Sequence, residues 1–177
     1  MIETLRPDVV GAGLGLVGIA MAFTQRQKDY LKQVYNNKCQ GKLVGMKHEC
    51  TEKKGLAIHH IIPQAYAYSV LGWTEEQVDS ELQGIPLCEN AHVNRLGNNP
   101  NAVHTDQFEA LREYRAGNKN AFQELQMERK RKLERGEKYW NTQWDLNFTR
   151  MAIFTINRFR FQHPKMSFPK HNHKKVA

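Results

Sequence analysis

Cysteine is scarce in this chain, with three residues, Cys39, Cys50 and Cys88, among 177. An odd number of cysteines cannot form a closed set of disulfide bonds, and their separations do not match a small secreted scaffold. The scarcity therefore excludes a disulfide-stabilised fold. We expect an intracellular protein in a reducing compartment, either the cytoplasm or an organelle, whose cysteines act as thiolates or metal ligands.

A long hydrophobic segment is also lacking. The main apolar run, residues 9–23, is shorter than the ~20 residues that a transmembrane helix needs, and four glycines interrupt it. The preceding residues include Glu3 and Asp8, which argues against a secretory signal. Gly13–Gly18 has the spacing of a dinucleotide-binding loop, but no strand precedes it. We interpret residues 1–23 as an apolar, glycine-rich extension and expect no small-molecule cofactor; a membrane anchor is the weaker alternative.

Excess positive charge is absent from the first part of the chain and concentrated in the second. Residues 1–104 contain 10 lysines and arginines and 10 acidic residues, whereas residues 105–177 contain 16 and 8, which accounts for the net charge of +8. A basic region beside a neutral one indicates a polyanionic partner, with nucleic acid favoured over an acidic membrane. The alternative is a solvated basic helix without a partner.

Length and patterning predict one main globular domain with appendages. We place that domain at residues 24–117, a basic helical region at 118–163 and a basic, disordered tail at 164–177. Capping-box patterns predict helix starts at Thr24 and at Thr74, because a glutamine follows each threonine by three residues.

The cysteines define a first candidate metal site. Cys39, Cys50 and Cys88, together with His48, would make three thiolates and one imidazole, which is an allowed tetrahedral zinc set. The spacing lacks a tight CxxC pair, so three reduced and partly buried cysteines are the alternative. A structural zinc here would tie the first hairpin to the segment around Cys88.

Two short blocks carry a second candidate site. The first is Ile58-His59-His60-Ile61-Ile62-Pro63, a strand-like run that a proline interrupts. The second is Ile85-Pro86-Leu87-Cys88-Glu89-Asn90-Ala91-His92, which predicts a short strand and then a helix. Adjacent strand side chains point to opposite faces, so the two histidines of the first block must have different tasks.

These two blocks resemble the HNH endonuclease family, over about residues 39–104. The resemblance implies an α+β fold in which a small ββα-metal core is flanked by an N-terminal helix and a basic C-terminal helical region. It implies that His59 and His92 bind a divalent metal ion and that His60 is the general base that activates water. His104 is a candidate third ligand, or alternatively the first residue of the next helix.

The family's middle position corresponds to Gln83, where an asparagine is usual. That residue holds the catalytic histidine or braces the loop, so we include Gln83 in the catalytic set; Asn90 is a nearby alternative. Ala91 occupies the position of a zinc-binding cysteine in cysteine-rich members, which is why His48 is considered as the fourth zinc ligand.

This chemistry suits phosphodiester hydrolysis. A histidine with its ordinary pKa of ~6.5 is mostly neutral at pH 7 and can accept a proton from water. A divalent ion, Mg²⁺, Mn²⁺ or Zn²⁺, held by imidazoles keeps positions open for a phosphate oxygen and the leaving oxygen. Six cations are candidate DNA contacts: Arg129, Lys130, Arg131, Lys132, Arg158 and Arg160.

The sequence thus predicts a metal-dependent HNH endodeoxyribonuclease of mobile-element, intron (homing) or phage type. The alternative is a zinc-stabilised DNA-binding protein that does not cleave. In either case we expect the helices to contact phosphates with little reading of base sequence.

Overall fold

A computed structural model describes residues 22–46, 50–142 and 144–171. The described residues form seven α-helices and a two-stranded antiparallel sheet, which confirms the α+β prediction. In chain order the elements are α1 Gln25–Val34, β1 Ala57–His60, α2 Gln64–Ser69, α3 Glu75–Val78, β2 Gly84–Leu87, α4 Glu89–Val93, α5 Thr105–Arg115, α6 Ala121–Glu134 and α7 Trp144–Gln162, with 3₁₀ turns at Gly41–Val44 and Glu81–Gln83.

Some predictions concern residues outside these ranges. They are the extension, apart from residues 22 and 23, the fourth zinc ligand His48, and the end of the basic tail beyond residue 171. Within the described ranges, no helix combines the length and the apolar character that crossing a bilayer requires.

The sheet joins the two motif-bearing segments. In its register His59 lies opposite Ile85 and His60 lies opposite Gly84. Helix α4 begins directly after β2, with Cys88 as its N-cap. Two antiparallel strands followed by a short helix therefore bring the histidine pair and His92 into one small unit.

Helix α1 covers one side of this unit. The predicted capping box is confirmed, since Thr24 accepts from the Gln27 amide and the Gln27 side chain accepts from the Thr24 amide. The helix packs on β2 at Gly84, where a Cβ would lie 2.2 Å from Leu31 Cδ1. Only glycine permits this close approach, which seats α1 against the sheet.

The segment between the strands is more helical than the sequence indicated. Within the mixed aromatic segment that follows Pro63, Gln64–Ser69 forms α2. The capping box at Thr74 is confirmed, and the helix that it starts, α3, ends at Val78. Ser80 then caps a 3₁₀ turn by accepting from the Leu82 amide, so Asp79 lies at the bend between the two turns.

Helix α7 contributes to the same core as α1 and the sheet. Its buried residues lie at helical spacing and belong to one hydrophobic cluster with Leu31 and Leu87: Trp144, Phe148, Ala152, Ile156 and Phe159. Helices α5 and α6 pack together, and α6 buries only Ala121. The separate DNA-contacting region at residues 118–163 stays a prediction.

Candidate metal centres

Three histidines from different parts of the chain converge beside the sheet. One ring nitrogen from each of His59, His92 and His104 lies within 4.8 Å of the others. The ring centroids are 4.7 Å apart for His59 and His92, and 5.2 Å apart for each pair that includes His104. The structure therefore brings together all three residues predicted as ligands of the active-site metal.

The backbone explains how His104 reaches this cluster from twelve residues further along the chain. The His104 amide donates to the His92 carbonyl at 2.8 Å, and the Val103 amide donates to the Ala91 carbonyl at 3.1 Å. These two bonds lay the returning chain along α4. His104 also precedes α5, so both roles weighed for it from the sequence are compatible with its position.

Asparagine side chains build the intervening loop. Asn94 ends α4 in the left-handed conformation (φ 55°) and its side chain accepts from the Asn99 amide. Asn90 accepts from the Leu96 amide and donates to Asn98. Asn90 thus braces the loop that returns His104.

Two ring nitrogens in the histidine cluster are buried without a hydrogen-bond partner. They are Nε2 of His59 and Nδ1 of His104. A buried polar atom without a partner is costly, so native structures supply it with a hydrogen bond, an ion or water. Zinc–imidazole bonds of about 2.1 Å in tetrahedral geometry place nitrogens about 3.4 Å apart. If the rings moved slightly closer together, both nitrogens could bind one ion.

Burial also sets the charge of these rings. It lowers the pKa of His59 and His104 well below the ordinary value, and lowers that of His92 to about 4. The neighbouring histidines act in the same direction on His59, as does the Arg129 guanidinium on His92. A metal ligand must be neutral imidazole, so the cluster is ready to bind an ion at neutral pH without first losing protons.

Arg129 lies beside this cluster. Its guanidinium donates two hydrogen bonds to Asp106, at 2.9 and 3.0 Å, and lies 5.1 Å from the centre of the Tyr139 ring. Tyr139 in turn stacks on His104, with ring centroids 6.4 Å apart. Arg129, predicted as a DNA contact, is therefore held by a carboxylate close to the histidines.

His60 is held apart from the cluster. Its ring stacks on Phe23, with centroids 4.2 Å apart and an angle of 11°. Its Nε2 lies 3.0 Å from Asp79 Oδ1, and His171 Nε2 lies 3.5 Å from Asp79 Oδ2. The structure thus does not bring His60 into the group of three, in keeping with the alternation of side chains along a strand.

Gln83 braces the turn that follows β1. Its side-chain oxygen accepts from the Ile62 amide at 3.2 Å, and its carbonyl accepts from the Ile61 amide at 2.7 Å. The residue is 7% exposed. Of the two tasks considered for Gln83, loop bracing is the one for which hydrogen bonds are present.

The three cysteines form a second cluster. One sulfur from each of Cys39, Cys50 and Cys88 lies within 4.8 Å of the others, and the Cys50 and Cys88 sulfurs are 3.4 Å apart. The amides of Gly41 and Cys88 both donate to the Cys39 sulfur. Backbone N–H groups directed at sulfur stabilise a thiolate. The cluster therefore suits a zinc ion, with the fourth position unassigned among the described residues.

The thiols are not equivalent. Hydrogen bonding from the Cys39 thiol lowers the pKa of Cys88 to about 5, while the same pairing raises the pKa of Cys39 and burial raises that of Cys50. Cys88 is therefore the thiol of the cluster whose environment favours the thiolate.

The other predicted DNA contacts are distributed over two helices. On α6, Lys130 lies 3.9 Å from Glu134 and Arg131 lies 3.6 Å from Glu128, and both cations are largely exposed. On α7, Arg160 pairs with Glu81. Arg158 lines a cleft next to Cys39 and Cys50, together with Lys38, Lys42 and Lys53. Lys132 lies in the last turn of α6.

Sequence reasoning missed Asp79, Tyr139 and His171 as neighbours of the candidate site. The contact between Asp79 and His171 spans 92 residues. No local pattern marks such a contact. No family model matches the chain, and neither a curated protein nor a solved structure is similar enough to it to count as a match.

Proposed function

We propose that the protein is a metal-dependent endonuclease that hydrolyses phosphodiester bonds in DNA, with β1, β2 and α4 as its ββα-metal core. The observation that carries this proposal is the convergence of His59, His92 and His104, two of which have a buried ring nitrogen without a partner. Three neutral imidazoles leave coordination positions for a substrate, as catalytic sites require and closed structural sites do not.

The ligand chemistry narrows the choice of ion. Imidazole suits Zn²⁺ and neighbouring transition metals, whereas Mg²⁺ prefers oxygen ligands. We therefore propose Zn²⁺ or Ni²⁺ over Mg²⁺ and Mn²⁺ in this site. When bound, the ion would supply Lewis-acid stabilisation of the charge that develops on the phosphate.

The chain's own residues supply the remaining parts of the reaction. His60 takes the proton from the attacking water as general base. The water oxygen forms a bond to phosphorus as the bond to the 3′ oxygen breaks. The products are a 5′-phosphate and a 3′-hydroxyl, which takes its proton from solvent.

Basic side chains on α6 and in a cleft beside the cysteines support DNA as the substrate. Lys130 and Arg131 are exposed on α6, and Arg158 shares a cleft with three lysines. Cations spread over two helices suit contacts to the phosphate backbone, which make binding depend steeply on salt and only weakly on sequence.

A plasmid-nicking assay tests the proposal. The metal-stripped protein is incubated with supercoiled plasmid and added Zn²⁺, Mn²⁺, Ni²⁺ or Mg²⁺. We expect nicking with at least one transition metal and little or none by His59→Ala. His163→Ala is the matched control, because it removes a histidine that packs on Phe159, away from the cluster. Absence of nicking by the wild type with every ion would refute the proposal.

The second candidate is a zinc-stabilised DNA-binding protein that does not cleave. The observation that favours it is the cysteine cluster, which could hold zinc whether or not the histidines react. In that case DNA would shift in a binding assay, the affinity would fall with salt, and no ion would support nicking. The two candidates therefore differ in cleavage and not in binding.

A further inference from the structure

Asp79 is a buried carboxylate whose partners are unusual. Its side chain is 3% exposed, and its two close basic partners among the described residues are histidines, His60 and His171. Gln64 also lies 3.5 Å from Oδ1. Burying a carboxylate without lysine or arginine is costly, so a group held in this way is a candidate for a functional role.

The backbone fixes Asp79 independently of its partners. It is the C-cap of α3, and its amide donates to the Glu75 carbonyl at 2.8 Å. The helix start is fixed in turn by the capping box of Thr74 and Gln77. The carboxylate is therefore presented from a rigid turn, as a residue that orients another side chain must be.

The His60 ring is restrained on its face and on its edge. Phe23 lies parallel to it, 4.2 Å away, and Asp79 Oδ1 meets its Nε2 at 3.0 Å. Phe168 from the C-terminal segment packs edge-on against Phe23. A carboxylate accepts and cannot donate, so Nε2 carries the hydrogen and Nδ1 carries the lone pair of the neutral ring.

We propose that Asp79 is the positioning residue of His60, holding the Nε2–H so that Nδ1 is the atom that accepts the proton. This inference rests on the proposed nuclease function. The step balances as follows: the water proton moves to Nδ1, the water oxygen bonds to phosphorus, and the 3′ oxygen departs. The imidazolium that forms is stabilised by the Asp79 carboxylate until its proton passes to solvent.

The first test compares Asp79→Asn with Glu76→Gln, which removes one exposed acid from the same helix. An asparagine amide can donate to Nε2, which favours the tautomer whose Nδ1 carries hydrogen and cannot accept. We expect Asp79→Asn to lower kcat about 100-fold, the usual range for general-base catalysis. KM for DNA and metal stoichiometry should be unchanged, and Glu76→Gln should match the wild type. Asp79→Glu, which keeps the charge, should recover part of the rate.

A double-mutant comparison separates positioning from a structural role. If Asp79 acts through His60, Asp79→Asn should have almost no further effect in a His60→Ala background. An equal loss of rate in both backgrounds would overturn the proposal, as would a wild-type rate for Asp79→Asn.

A measurement without activity keeps the inference distinct from the proposed function. Imidazole ¹⁵N chemical shifts of His60 report which nitrogen carries hydrogen. We expect the Nε2–H tautomer in the wild type and in Glu76→Gln, and its loss in Asp79→Asn. If the wild type does not nick DNA but the tautomer behaves in this way, the nuclease proposal fails while Asp79 still orients His60. The Nδ1–H tautomer in the wild type would overturn the inference itself.

Discussion

The histidine and cysteine clusters each bring three ligand atoms within 4.8 Å, yet they are prepared for metal in opposite ways. Burial keeps the histidines neutral and leaves two ring nitrogens without partners. The Cys50 and Cys88 sulfurs share a hydrogen bond, and the amides of Gly41 and Cys88 donate to the Cys39 sulfur, which favours its thiolate. Neutral ligands leave an ion its full charge for a substrate, whereas thiolates neutralise it. The difference is the basis on which we propose a reacting ion at the histidines and a structural ion at the cysteines.

The largest expected effect concerns reaction at the histidine cluster. His92→Ala should lower the nicking rate by about 1,000-fold, the upper range for removing one stabilising group from a catalytic site. The protein should remain folded and keep any ion at the cysteines. Nicking rates and metal content by elemental analysis check this, with His163→Ala as the control. A variant that nicks normally would remove His92 from the site.

A substitution in the cysteine cluster should lower the stability of the protein. Cys88→Ser removes the thiolate that hydrogen bonds to both other cysteines, so the cluster should lose its ion. We expect a loss of about 4 kcal/mol in the free energy of unfolding and a fall in Tm of roughly 10 °C. Thermal melts with metal analysis test this against His92→Ala, which should melt close to the wild type. Equal Tm values for Cys88→Ser and the wild type would contradict the structural role.

The free energy of unfolding should fall at acid pH, because the buried histidines are neutral in the folded protein. In the metal-free protein the pKa of His92 is lowered by burial to about 4, whereas the unfolded value is about 6.5. The unfolded chain therefore binds the proton first, and stability is lost as pH falls from 6.5 towards 4. His92 should account for a loss of about 3 kcal/mol in the free energy of unfolding over this pH range. His59 and His104 act in the same direction.

Chelator-treated wild type and His92→Gln, melted in denaturant from pH 7 to pH 4, test this dependence. Their difference in unfolding free energy isolates His92 from the carboxylates that also titrate. Parallel curves for the two proteins would contradict the prediction.

The smallest effect is expected at Gln83, which hydrogen bonds to the turn that follows β1. Gln83→Ala removes the acceptor for the Ile62 amide, which should cost about 1 kcal/mol of stability. Nicking should fall only several-fold, because His59 keeps its strand pairing with Ile85. Asn90→Ala, which releases the loop before His104, is compared with Gln83→Ala in the same stability and nicking measurements. A larger effect on nicking from Gln83→Ala than from His92→Ala would reverse the assigned roles.

Local sequence signals correctly predicted where two of the helices begin. The capping boxes at Thr24 and Thr74 start helices, because the residues that satisfy the first amides are adjacent in sequence. Helix α2 was missed because Gln64–Ser69 has a mixed aromatic pattern and no side-chain cap. It is stabilised by tertiary packing, through buried Tyr66 and Ala67, which a periodicity argument cannot detect.

The candidate site was partly predictable for a similar reason. His59 and His92 lie in short motifs, and His104 follows closely enough for a loop to return it. The arrangement around His60 was not predictable, because Phe23 and Asp79 contact it from distant segments and His171 contacts Asp79 from a third. Arg129 shows the same limit: its charge suggested a DNA contact, and only the fold reveals its pairing with Asp106.

The C-terminal segment that reaches Asp79 has a consequence for synthesis. His171 follows His60 by 111 residues. At ribosomal speeds of about 5–20 residues per second, His60 and Asp79 wait on the order of ten seconds for it. Phe168, which backs Phe23 and Tyr30, emerges equally late. A nascent chain therefore carries His59, His92 and His104 before the C-terminal residues that complete the packing around His60 have been made.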